Sequence, residues 1–87
     1  MELSPSQRAQ VWNLKDLISK FPKFSSSDRI KYLDEVYFPE VLKAKWLYLQ
    51  RPTFRGILEQ KLEEFKERAP NLVAKWRELF DIEEISN

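Results

Sequence analysis

A single glycine, Gly56, stands among the 87 residues, and it constrains the fold more than any other feature. Tight β-hairpins need residues at positive φ, which glycine supplies without steric cost. A chain this poor in glycine is therefore expected to be all-α. The same count removes glycine-rich phosphate loops, since both common forms need at least two glycines. No Cys is present, which excludes disulfides, zinc ribbons, iron–sulfur clusters and thiol nucleophiles. No His is present either, which excludes imidazole bases, Ser-His-Asp triads and most transition-metal sites. No catalytic residue, cofactor or metal ligand is expected.

Five prolines, at positions 5, 22, 39, 52 and 70, each sit beside a change in apolar pattern and read as punctuation between helices. Ser4-Pro5-Ser6-Gln7 offers an N-cap serine, a proline at the first helical position and a glutamine to close a capping box. The helix it opens is expected over residues 5–20, with Val11, Leu14, Leu17, Ile18 and Phe21 on one stripe. A second is expected over 28–37, with Ile30, Leu33, Val36 and Tyr37 inward, ended by Phe38-Pro39. A third, over 39–50, is apolar on most sides through Val41, Leu42, Ala44, Trp46, Leu47, Tyr48 and Leu49, which marks a central, buried helix. Thr53 is the expected cap of a fourth over 54–68, and Leu72, Val73, Trp76, Leu79 and Phe80 define a fifth. Each is too short to be stable alone, so packing must hold them. The expected architecture is a compact single-domain bundle of about five short helices.

Twelve aromatic residues can fill one core, and the length suits one domain, placed at 1–80. The remainder, Asp81-Ile82-Glu83-Glu84-Ile85-Ser86-Asn87, is an acidic tail expected to fray, or to dock as a short motif on a basic partner. Net charge is +1, which by itself predicts no polyanionic partner. No apolar run approaches the roughly 18–20 residues that span a bilayer, and no membrane partner is expected. Met1-Glu2-Leu3-Ser4-Pro5 has neither the basic nor the apolar stretch of a secretory signal, so a cytoplasmic location is expected, while the Met1 start and the fraying C-terminus favour a whole small protein.

The most informative stretch runs from Lys43 to Leu58. It carries Lys43, Lys45, Arg51 and Arg55, with Trp46, Tyr48 and Phe54 interleaved and no acid between Glu40 and Glu59. Arg51 and Arg55 flank the start of the fourth helix, where a cation costs about 0.3–1 kcal/mol if exposed. A bound anion would offset that cost, whether a phosphate or a partner's carboxylate. Pairing with acids elsewhere, such as Asp34, Glu35 or Asp81, would do so equally. Trp12 lies about 100° from Val11 around the first helix, off its apolar stripe. Either another helix covers it or it anchors an interface.

Three classes of function follow. The first is a non-enzymatic protein–protein interaction or regulatory module, binding through Trp12 and the basic–aromatic stretch at 43–55. The second is a nucleic-acid-binding, helix-turn-helix-like domain with Arg51 and Arg55 as phosphate contacts. Glu59, Glu63, Glu64 and Glu67 on the candidate recognition helix oppose it. The third is self-association into a homo-oligomer, which either function accommodates. An enzyme built on Arg/Lys clamps is disfavoured because the inward stripe of the first helix is wholly apolar.

Overall fold

The computed structural model describes residues 3–81. It is all-α, with no strand among the described residues. The helices are α1 (Pro5–Lys20), α2 (Ser26–Tyr32), α3 (Phe38–Lys43), α4 (Lys45–Gln50), α5 (Pro52–Glu64) and α6 (Pro70–Phe80). A π-helical segment, Leu33–Tyr37, joins α2 to α3 without leaving helical backbone geometry, so the two form one rod. Counting that rod once gives five helices. Contacts divide the chain into two units that meet in sequence at Ala44 and Lys45.

The first unit opens as its sequence dictates. The Ser4 hydroxyl accepts from the Gln7 amide at 3.2 Å, while the Gln7 side chain accepts from the Ser4 amide at 3.0 Å. That capping box satisfies two amides that otherwise have no helical partner. A 3-10 turn, Phe21–Lys23, follows α1, and Ser25 caps α2 by accepting from the Asp28 amide. The second helix therefore starts two residues earlier than its sequence suggested.

Pro39 does not end that helix. A proline inside an α-helix lacks a donor and its ring clashes with the carbonyl four residues back. Here the ladder has already widened: the Phe38 amide bonds Leu33, five residues back. The extra residue per turn over Leu33–Tyr37 displaces the carbonyl that the ring would strike, and the rod continues to Lys43. The expected single helix over 39–50 is instead split at Ala44, which sits at φ −106°, ψ 47°. Nothing in Lys43-Ala44-Lys45 dictates that break locally.

Side chains tie the rod to α1 and its turn. The Tyr32 hydroxyl donates to the Leu17 carbonyl at 2.8 Å, and Arg29 donates to the Pro22 carbonyl at 2.9 Å while lying over the Phe21 ring. Leu14, Phe21, Leu33, Tyr37, Phe38 and Val41 are buried. Val36, expected inward, stands at the surface, because the π segment shifts the register of everything that follows its start.

In the second unit, α5 packs against both α4 and α6. Leu58, Leu62 and Phe65 are buried on the α5 side, and Val73, Trp76 and Phe80 on α6. Trp76 stacks on Phe80, and Tyr48 of α4 meets Phe80 edge-on, both at 5.5 Å between centroids. The chain leaves α6 through Asp81 in left-handed geometry, φ 57°. Thr53 is not a cap: Pro52 begins α5, and Arg51 holds the cap position with no side-chain hydrogen bond. Regular helix ends at Glu64, short of the expected Arg68. Leu47 and Tyr48 are buried as expected of a central helix, but Leu49 is 57% exposed, and on α6 Leu79 is 47% exposed. Residues 82–87, most of the acidic tail, lie outside the described residues.

Candidate functional site

The side chains singled out from sequence fall on both units. Trp12 lies on α1 and Lys43 at the end of α3. Lys45 begins α4, Arg51 precedes α5, and Arg55 lies in its first turns.

Two of the four cations already have acidic partners. Arg55 Nε bonds Glu59 Oε1 at 2.9 Å, one turn along the same helix, and Lys43 Nζ lies 3.4 Å from Glu40 Oε1. Both pairs are substantially exposed, and such pairs contribute only a few tenths of a kcal/mol, so they open at little cost. The acid that meets Arg55 is none of Asp34, Glu35 or Asp81. Lys45 and Arg51 are exposed and make no ion pair among the described residues.

The start of α5 offers little to an anion. Pro52 has no amide hydrogen, and the amides of Phe54 and Arg55 already bond the Arg51 carbonyl at 3.1 and 3.2 Å. A phosphate there would rely on Arg51 alone, unless Arg55 left Glu59.

Trp12 is the more distinctive feature. It is 71% exposed, the largest exposed apolar side chain described. At 100° per residue it stands about 160° from buried Leu14, on the side of α1 opposite the core. No helix covers it. Arg8, Lys15 and Ser19 share its face within an arc of about 60°. Lys15 Nζ sits 5.7 Å from the centre of the Trp12 ring, within reach of a cation–π interaction. Neither Arg8 nor Lys15 has an acidic partner among the described residues. Asp16, at the edge of the face, is engaged by Lys20 at 3.0 Å, which holds the lysine ammonium above its usual range by hydrogen bonding and charge. Asn13, on the flank, donates to Glu40. The face is thus cationic around one bare indole.

Sequence reading found Trp12 but missed Arg8 and Lys15. The signal was present: positions 8, 12 and 15 fall one turn apart on a helix whose apolar stripe is elsewhere. An open cleft of about 220 Å³ also lies along the rod, lined by Phe24, Asp28, Lys31, Tyr32, Glu35 and Val36. Its charges are mixed, and two of its lining rings, Phe24 and Tyr32, stack on each other at 4.5 Å.

No helix among the described residues is long and apolar enough to cross a membrane. No family model, curated protein or solved structure matches the chain, so its function is argued from its own residues.

Proposed function

We propose that this chain is a non-enzymatic protein-interaction module, with Trp12 as the anchor of its binding surface. The observation that carries the reading is the 71% exposure of Trp12 on the side of α1 away from the core. An indole in water contributes nothing to folding, whereas buried at an interface it is among the side chains that contribute most to affinity. Within the same unit, Lys43 is held only by a weak exposed pair with Glu40 and supplies further positive charge for orienting a partner.

Nucleic acid is the weaker alternative. It would use Arg51 and Arg55, but the start of α5 has few amides to offer and Glu59 adds a carboxylate beside Arg55. Glu63, Glu64 and Glu67 are exposed nearby along the chain, where they would repel phosphates.

A photo-crosslinking amino acid in place of Ser19, exposed on the same face as Trp12, tests the reading in extracts of the source cells. The expected result is a defined adduct that protease destroys and nuclease leaves intact. Adducts removed by nuclease, or none at all, would overturn it.

A further inference from the structure

Resting on that reading, we infer that the α1 face around Trp12 recognises an acidic amphipathic helix of a partner protein. Arg8 and Lys15 are seven residues apart, which on a helix is about 10 Å along one side. Trp12 lies between them. The complementary element must place carboxylates about 10 Å apart with an apolar side chain midway, and a helix does so with acids at i and i+7 and an apolar residue at i+3 or i+4.

Charge complementarity selects this occupant. The face holds two cations with no acidic partner among the described residues, and its one adjacent acid, Asp16, has the Lys20 ammonium 3.0 Å away. A lipid surface would need a broad apolar face to enter the bilayer boundary, and Trp12 is the sole large apolar group on this one. An extended nucleic-acid strand would need a longer track of cations than two. A helix laid along α1 against one aromatic anchor with flanking charge needs neither.

The test uses the whole protein and a fluorescein-labelled, alanine-rich helical peptide bearing two glutamates two turns apart with a leucine pair between them. Binding is read by fluorescence anisotropy. The expected result is saturable binding that weakens at least tenfold in Trp12→Ala and in Arg8→Glu/Lys15→Glu, with far-UV circular dichroism unchanged. A second peptide, with both glutamates replaced by lysine, is expected to bind the charge-reversed variant and not the unaltered protein. Failure of the acidic peptide to bind, or undiminished binding to the charge-reversed variant, would overturn the inference. So would binding of a mixed-sequence DNA duplex or of phosphatidylcholine–phosphatidylserine vesicles through Trp12 in place of the peptide. If a protein still crosslinks at position 19 while the acidic peptide fails, the module reading stands and the partner's chemistry is wrong.

Discussion

The Tyr48 hydroxyl donates a buried hydrogen bond of 3.2 Å to the carbonyl of Phe80, the last residue of α6. The final carbonyls of a helix have no partner within it, and a buried one left bare is costly. Tyr48 supplies the partner and packs its ring edge against the Phe80 ring. One side chain from α4 thus caps α6 and fixes where it ends.

Replacing Tyr48 with Phe keeps the ring contact and removes the cap. The variant is expected to lose about 1 kcal/mol of stability, with helix content unchanged, as measured by urea unfolding. A loss below a few tenths of a kcal/mol would mean that water serves the Phe80 carbonyl equally well.

All three tyrosines hold their protons more tightly in the folded chain than in the unfolded one. Burial is the main cause in each, and it pushes Tyr37 up to about 12. Above pH 10 the unfolded chain releases phenolic protons that the folded chain retains, so stability falls as pH rises. For Tyr37 the contribution is complete below about pH 10 and lost by about pH 12, at up to about 1.4 kcal/mol per pH unit, and Tyr32 and Tyr48 act in the same direction. Denaturant unfolding across that range, beside the tyrosinate absorbance, checks it. Full ionisation at the pH of free tyrosine would contradict it.

Gly56 sits within α5, at negative φ, and a methyl group added there would meet nothing within 4 Å. Its cost is therefore conformational entropy alone. Gly56→Ala is expected to stabilise the chain by about 0.5–1 kcal/mol, a rise in melting temperature of about 4–8 °C per kcal/mol. A lower melting temperature would show that α5 is not helical at this point.

The capping box makes a local prediction. Ser4→Ala removes the acceptor for the Gln7 amide and is expected to cost about 1 kcal/mol. Ser4→Gly, which keeps the cap geometry accessible, is expected to cost only a few tenths. No loss in Ser4→Ala would deny the hydroxyl its role.

What was legible in the sequence was what neighbouring residues decide between themselves. Ser4 and Gln7 formed the expected box, and Val73, Trp76 and Phe80 packed along the expected stripe. Pro39 misled because the remedy lies upstream: a π segment over Leu33–Tyr37 absorbs the ring before the chain reaches it. The same shift brought Val36 to the surface. Thr53 lost the cap position because Pro52 already has helical φ. The Arg55–Glu59 pair was readable from its four-residue spacing, and so was the Arg8–Trp12–Lys15 face. Both were obscured by searching for distant acids and by treating Trp12 alone. The exposure of Trp12 itself depends on where other helices pass, which spacing along α1 does not encode.

The central claim is that Trp12 serves binding and not folding, and thermal unfolding of Trp12→Ala beside Trp76→Ala tests it most directly. Trp76 is buried and stacked on Phe80. Its truncation is expected to cost about 3–5 kcal/mol, and that of Trp12 to fall within about 0.5 kcal/mol of zero. Comparable losses in the two variants would place Trp12 in a packed interior and contradict the account.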